Sequence, residues 1–463
     1  MSTERMVITM SRIKNMTSGN PTKLMASFAA PLMLANFGQQ LYTIVDAMIV
    51  GKGVGVEALA AVGATDWSYW LALWVIQALA QGFSIPISQY FGEGNRKKMR
   101  QTIAMSIKLC LVSGCALTVV CLLMAKPLLN LLQTPDNIFN SASQYLLTMF
   151  GGILIVLAYN MASAILRAFG DGKSPLIAIA VAAVTNIVLD LLFVLVFHWG
   201  IIGAAVATIT AQFLAFLYCL RTLAKMDIMK IEKDDWNFRK EIVSKQCRLG
   251  IPLALQNILI AIGGMILQSA INQHGFVFIA GFTATNKIYG LLESSALSIG
   301  YAITTYMAQN YGGGFYKRIR QGLKSSVLIA VVLSVCVSAF MIAVGKPILS
   351  LFIDAANANA EEVLSVAYHY LFIMSCLLLP LYLLFVFRNT LQGLGNGIAP
   401  FLSGVMEFAA RVSVSCFFTR IWGDDIIFYA EPSAWIAAMA VLVAICLKTV
   451  SSLPASDAQS QQA

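Results

Sequence analysis

The sequence predicts an all-α polytopic membrane protein, with about twelve transmembrane helices in two six-helix bundles related by pseudo-twofold symmetry along the membrane normal. Three observations predict it. Hydrophobic residues make up 59% of the 463 and charged residues only 11%, with a mean hydropathy of +0.77, whereas a soluble domain carries ~25% charged residues. Apolar stretches recur near 24–50, 57–90, 101–125, 141–166, 175–198 and 201–224, then near 248–272, 277–309, 323–344, 362–387, 398–421 and 431–450. Each approaches or exceeds the ~20 residues that cross a bilayer. The third observation is an internal repeat. Gln89, Gly92, Gly94, Lys97, Arg100 and Gln101 recur at one constant offset as Gln309, Gly312, Gly314, Lys317, Arg320 and Gln321, and Lys126-Pro127 recurs as Lys346-Pro347. Later, Gly170-Asp171-Gly172 with Pro175 returns as Gly395-Asn396-Gly397 with Pro400. Six spans per half is an even number, so both halves run the same way through the membrane, the plan of a transporter with a central cleft.

The first apolar stretch carries Asn36, Gln39, Gln40, Thr43 and Asp46. Asn36, Gln39 or Gln40, Thr43 and Asp46 are spaced by threes and fours and share one helical face. A carboxylate on a spanning helix costs ~2.5–3.5 kcal/mol even on the lenient insertion scale, and an aqueous cavity or a bound cation is the usual compensation. Two readings of Asp46 follow: a cation site, or a hydrated side chain at the outer interface near Gly51. Gln39 and Gln40 either line a cleft or bond to neighbouring helices. Pro31 breaks the hydrogen-bond ladder and permits a bend, unless it sits in the first turns and does nothing.

The two longest segments, 57–90 and 277–309, run beyond the hydrocarbon or tilt. In the first of them Trp67, Trp70 and Trp74 form a stripe at i, i+3 and i+7. A stripe of this kind suits an organic cation on its ring faces or a lipid-facing interface. Lys108 falls near the middle of the third span, where it snorkels or faces the bundle. On the fifth span Asn186 and Asp190 are i,i+4 and share a face, and His198-Trp199-Gly200 reads as a tight outer turn before the sixth. In the second half Glu407 and Arg411 are also i,i+4 and most simply neutralise each other. Lys287 and Glu293 lie more than about 90° apart around their helix and need partners elsewhere.

Basic residues set the topology. Arg5, Arg12, Lys14 and Lys23, the run Arg96 to Arg100, Arg167 with Lys173, the 221–248 connector and Lys317 to Lys324 alternate with loops that hold single basics and the acids Glu361-Glu362 and Asp424-Asp425. That alternation places both termini in the cytoplasm of a multi-pass plasma (inner) membrane protein. It also accounts for the net charge of +9 without nucleic acid. The N-terminal twenty residues are polar and basic with no apolar core before a cleavage site, so the first span directs insertion. The expected division is a cytoplasmic tail at 1–22, an amino lobe at 23–224, a cytoplasmic linker at 225–246, a carboxy lobe at 247–450 and a low-complexity, disordered cytoplasmic tail at 451–463. Nine cysteines scattered through the spans, with no metal spacing, read as small buried hydrophobes.

The stretches P-L-M-L-A-N-F-G-Q-Q-L-Y-T-I-V-D-A-M-I-V-G, A-L-A-A-V-G, A-I-L-R-A-F-G-D-G-K-S-P and N-I-V-L-D, with G-I-P-L-A-L-Q-N, I-A-G-F-T-A-T-N-K-I and Q-N-Y-G-G-G in the second half, resemble the multidrug and toxic compound extrusion (MATE) transporters. The resemblance runs from about residue 23 to residue 450. It implies cation-coupled export of bulky, often cationic organic compounds by alternating access of two lobes. In the DinF-like prokaryotic branch an amino-lobe cation site matches Asp46, Asn186, Asp190 and Thr208, and Pro31 matches a proline of the first helix. The residues themselves agree, because two carboxylates, an amide and a hydroxyl are the oxygen ligands a hard cation prefers. The coupling ion is H+ or Na+: the four groups make a metal site only for Na+, and two neighbouring carboxylates equally suit a shared proton. Asn186 tying helices together and Thr208 bonding its own i−4 carbonyl are the structural alternatives. The carboxylate that NorM-type members carry on the seventh helix is missing from PLALQNILIAIGGMILQSAIN.

The substrate cleft is expected to draw on Asn36, Gln39, Gln40, Trp67, Trp70, Glu293 and Glu407. No enzyme is expected. Gly172-Lys173-Ser174 lacks the first glycine of a phosphate loop, where Arg167 stands, and follows no strand; it reads as a helix-ending loop in which Gly170 is left-handed and Pro175 starts the next helix. No HExxH, GxSxG or metal-type His/Cys cluster occurs, and His198, His274 and His369 are far apart. The expected partners are small organic molecules and membrane lipids, with no cofactor beyond the coupling ion, and a monomer suffices. The alternatives are a flippase for a lipid-linked saccharide, whose cleft would be cationic, and an uncoupled channel.

Overall fold

The computed structural model describes residues 14–353 and 359–457; the start of the amino-terminal tail and the last residues of the carboxy-terminal one lie outside them. The described chain is helical. In order the helices are α1 (Pro21–Gly53), α2 (Val56–Glu93), α3 (Arg96–Leu131), α4 (Asp136–Gly151), α5 (Ile153–Ala168), α6 (Lys173–Asp190) and α7 (Gly200–Ala224). The second series is α8 (Lys240–Ile271), α9 (Phe276–Gly312), α10 (Tyr316–Ser350), α11 (Ala360–Cys376), α12 (Leu378–Gly393), α13 (Ile398–Ser413) and α14 (Ala430–Ser451). Among the described residues eight helices are long and apolar enough to cross a membrane, or ten if each bent pair is one crossing. The remaining two, α1 and α9, have 33 and 37 residues, roughly 50 Å or more at 1.5 Å per residue. This is the all-α polytopic architecture of about twelve spans that the composition predicts.

Two spans read as single helices are bent. The 141–166 stretch breaks between α4 and α5 by 46°, and the 362–387 stretch between α11 and α12 by 48°. At the first break stand Gly151-Gly152; at the second Pro380 enters the new helix early, where its missing N–H costs nothing. Two more spans widen into π-helical turns, Leu191–Val196 after α6 and Val414–Phe418 after α13. Pro31 sits inside α1 rather than in its first turn.

The loops follow the expected chemistry. Gly170 and Gly395 are left-handed, with φ of 79° and 88°. The Asp171 carboxylate accepts the Lys173 and Ser174 N–H groups at 3.0 and 2.9 Å, and the Asn396 side chain accepts those of Ile398 and Ala399. Both cap the following helix. The glycine-lysine-serine sequence is therefore a helix start.

Chain contacts divide the molecule into two compact units. Among the described residues the first comprises Phe28–Ala254 with those before Gly19, and the second comprises Gly19–Ser27 with those from Leu255 onward. In the first unit α2 is the central helix and α3 an outer one whose Leu111, Val112, Val119 and Leu123 are exposed, an apolar stripe on the outside of the unit. The charged connector folds onto this unit. Arg100 pairs with Glu232 and Asp235, each at 2.9 Å, and the turn Lys233–Trp236 is closed by a reciprocal capping box between Glu232 and Asp235. Lys108 is exposed, and its Nζ donates to the Trp236 carbonyl of the connector; α3 itself runs over 36 residues. The start of α8 is held the same way. Gln246 Nε2 reaches the carbonyls of Phe83 and Thr102 and the Ser106 hydroxyl, and a Cβ on Gly82 would collide with the Gly250 backbone. In the second unit the foot of α1 is bonded through Thr22 to Ser325 at 3.0 Å, and Ser326 contacts Met25. Beyond α14 the Leu453 and Pro454 carbonyls accept from Arg320.

Candidate functional site

In the first unit three helices bring four of the sequence-selected residues together. Asp46 lies on α1, Asn186 and Asp190 on the last turns of α6, and Thr208 on α7. A Cβ on Gly53 would come within 3.0 Å of Val194 and closer still to Leu195, so the C-terminal end of α1 packs directly on the π-helical turn that begins after Asp190. That approach carries Asp46 to Asp190, and their carboxyl groups face each other within hydrogen-bonding reach. Asp190 is fully buried and Asn186 nearly so; Asp46 and Thr208 are half-buried.

The polar atoms are incompletely satisfied. Asn186 Nδ2 donates to Thr208 Oγ1 at 3.3 Å, and the Thr208 hydroxyl donates to the Ala204 carbonyl at 3.0 Å. Asn186 thus ties α6 to α7, and Thr208 bonds its own i−4 carbonyl. Yet among the described residues Asn186 Oδ1, Asp46 Oδ1 and both Asp190 oxygens are buried with no hydrogen-bond donor. Buried oxygens of this kind cost of order 1–3 kcal/mol each, more when charged. Four such oxygens from three side chains form an electron-rich cluster that a proton or small cation would satisfy. The buried Tyr145 of α4 lies within electrostatic reach of both aspartates, a neighbour that sequence spacing gave no means of finding.

The other selected residues do not join this cluster as a group. Pro31, Gln39 and Gln40 are half-buried on α1, and the Gln39 carbonyl is taken by the Thr43 hydroxyl at 2.9 Å. Asn36 has a partner of its own. Trp70 is exposed and meets Trp74 edge to face at 6.1 Å, while Trp67 is half-buried.

The second unit holds a different arrangement. Glu407 does not pair with Arg411. It pairs with the buried Arg388 of α12, which also donates to Ser403 at 3.2 Å. Gln256 of α8, with its amide oxygen turned to the guanidinium, accepts from Arg388 at 3.1 and 3.2 Å. Arg411 instead meets Glu431 of α14 at 2.7 Å and the Ile260 carbonyl at 3.2 Å. One helical turn brings Glu407 and Arg411 onto one face, but neighbouring helices offer each a better-placed partner. Glu293, half-buried on α9, faces the same charged group, with Glu431, Glu407, Arg411 and Arg388 within electrostatic reach. Arg388 was not among the residues that spacing singled out. A pocket of about 780 Å³ elsewhere in this unit, lined by Lys346, Glu361, Glu362, Tyr368, His369 and Phe372 among others, contains none of the selected residues.

Comparison with known proteins accords with this architecture. The profile of the MatE family matches residues 31–192 and 252–416. The probable multidrug resistance protein YpnP of Bacillus subtilis is 34% identical over 77% of this chain and 81% of its own. The probable multidrug resistance protein NorM of Thermotoga maritima is 26% identical over 71% and 72%. Among solved structures, a MOP superfamily transporter from Pyrococcus furiosus superposes with a TM-score of 0.88 over 95% of this chain and 98% of its own, at 22% identity. The profile spans both halves of the repeat and the relatives cover most of each chain: this protein belongs to the MatE family, whose members are membrane transporters and not enzymes.

Proposed function

We propose that the chain is a cation-coupled antiporter that exports organic, often cationic, compounds across the plasma (inner) membrane by alternating access, with both termini cytoplasmic. The observation that carries this reading is the facing pair Asp46 and Asp190, whose buried oxygens lack donors among the described residues. Two carboxylates so placed repel each other until a positive ion arrives. A proton shared between them gives each carboxyl a partner; Na+ would draw on Asp46, Asp190 and Asn186, with Thr208 holding the Asn186 amide in place. An organic cation and a small cation are then alternative neutralisers of one chamber, which is the requirement of antiport. Pro31, inside α1 and on the same helix as Asp46, supplies a place where that helix can change its bend with occupancy. The names of YpnP and of the Staphylococcus aureus multidrug export protein MepA, 21% identical over 87% of this chain, support drugs as the cargo class.

A saccharide-lipid flippase is less well supported. Its diphosphate would want uncommitted arginines, and Arg388 and Arg411 each already hold a carboxylate. The test is efflux of ethidium from proteoliposomes with pH and sodium gradients imposed separately. Export should follow one gradient and cease when that gradient is collapsed. Export that continues without either gradient would refute the antiporter, and ion conduction without ethidium movement would indicate a channel.

A further inference from the structure

The repeat extends into the chambers of the two units. Aligned on Gly170-Asp171-Gly172 and Gly395-Asn396-Gly397, Tyr145 corresponds to Tyr370, Asn186 to Arg411, Asp190 to Ser415 and Thr208 to Ser433. On the earlier register Tyr69 corresponds to Tyr289. The second unit therefore contains its own copy of the chamber, with the amide position filled by an arginine. Its two acids come from other positions, Glu293 on α9 and Glu431 on α14.

The geometry of this copy is specific. Arg411 is buried, 3% exposed. Its Nη2 donates to Glu431 at 2.7 Å and its Nη1 to the Ile260 carbonyl at 3.2 Å. Gly263 of α8 leaves the space, since a Cβ there would lie 3.1 Å from Nη1. Glu293 and the half-buried Tyr289 on α9, and the buried Tyr370 on α11, lie within electrostatic reach of the same guanidinium. Arg388 of α12 and Glu407 of α13 neutralise each other beside it. With that pair set aside, one positive charge stands among two carboxylates. The first unit reaches the same count when one monovalent cation joins Asp46 and Asp190.

We propose that Arg411 is a tethered cation: the chamber of the second unit is a copy of the cation site held permanently in its loaded form by the Arg411 guanidinium, so that only the first unit exchanges ions. The proposal rests on the cation reading of the first unit for its functional meaning, but not for its test. Substituting Arg411 by Gln leaves Glu293 and Glu431, within electrostatic reach of each other, without that guanidinium. Such a pair takes up a proton or a sodium ion.

The experiment counts protons bound by the purified full-length protein in detergent, from about pH 5 to about pH 9, where crowded carboxyls titrate, in choline and in sodium chloride. R411Q should bind about one more proton per molecule than wild type, and sodium should displace it if the new site takes metal. R411K, which restores a tethered charge, should return the count to that of wild type. E293Q in the otherwise native protein should leave the count unchanged, because the tethered guanidinium stands where a bound proton would. An unchanged count in folded R411Q, or a proton lost in E293Q, overturns the proposal; the E293Q arm decides the matter if R411Q fails to fold. D190N separates the two readings. If it lowers the count while R411Q adds nothing, the antiporter reading stands and the tethered cation falls. If R411Q adds a proton while D190N changes nothing, the reverse holds.

Discussion

The proposed coupling site makes its sharpest prediction through a double-mutant cycle on Asp46 and Asp190. Their carboxyls are within hydrogen-bonding reach. Charge centres ~4 Å apart interact by ~4 kcal/mol at an effective dielectric of 20, equal to roughly three powers of ten in an equilibrium constant. A cation bound between them gains that attraction from each carboxylate. Removing one acid should therefore weaken cation binding by up to about a thousandfold, and removing the second should add much less in transport, because the pair acts as a unit. D46N, D190N and the double variant should each lose gradient-driven ethidium efflux from proteoliposomes, with the double variant about as impaired as either single one. Two results would refute the reasoning: wild-type efflux in D190N, or strictly additive losses across the cycle.

Other consequences follow from the same geometry. E407Q leaves the Arg388 guanidinium buried without its carboxylate, which should cost about 3–5 kcal/mol; the melting temperature in detergent should fall and largely recover in the paired apolar variant R388M/E407L. G82L forces a side chain against the Gly250 backbone where α2 meets α8, and should destabilise by about 1–3 kcal/mol or more in the same melt. D235A removes an Arg100 partner and opens the capping box of the connector; limited proteolysis should cleave near Lys233 several-fold faster. T208V removes the hydroxyl that accepts from Asn186. If Asn186 acts through its orientation, the ion dependence of transport shifts in T208V while the protein melts as before; an unchanged dependence would make Thr208 merely structural.

Much of this was legible because membrane chains carry strong signals. The spans follow from hydropathy, and the acids Asp46 and Asp190 stood out because carboxylates are rare in apolar helices. Asn186 and Asp190 were joined correctly by helical periodicity, which works within one element. It fails between elements. Arg388 pairs with Glu407 and Arg411 with Glu431 across different helices, where spacing along the chain carries no information and the i,i+4 rule gave the wrong partner. Nor does spacing give the Lys108 contact with the Trp236 carbonyl, which joins α3 to a segment more than a hundred residues on. The breaks at Gly152 and Leu377 were hidden by continuous hydrophobicity, although Gly151-Gly152 and Pro380 were visible signals for both.

The assignment of α8's opening turns to the first unit, and of α1's foot to the second, has a practical corollary. The contact boundary falls after the charged connector, between Ala254 and Leu255. Halves severed at residues 225–246 would strand Gln246 from its three acceptors and Thr22 from Ser325. Co-expressed fragments should reassociate only when each retains the opening helix its sibling needs.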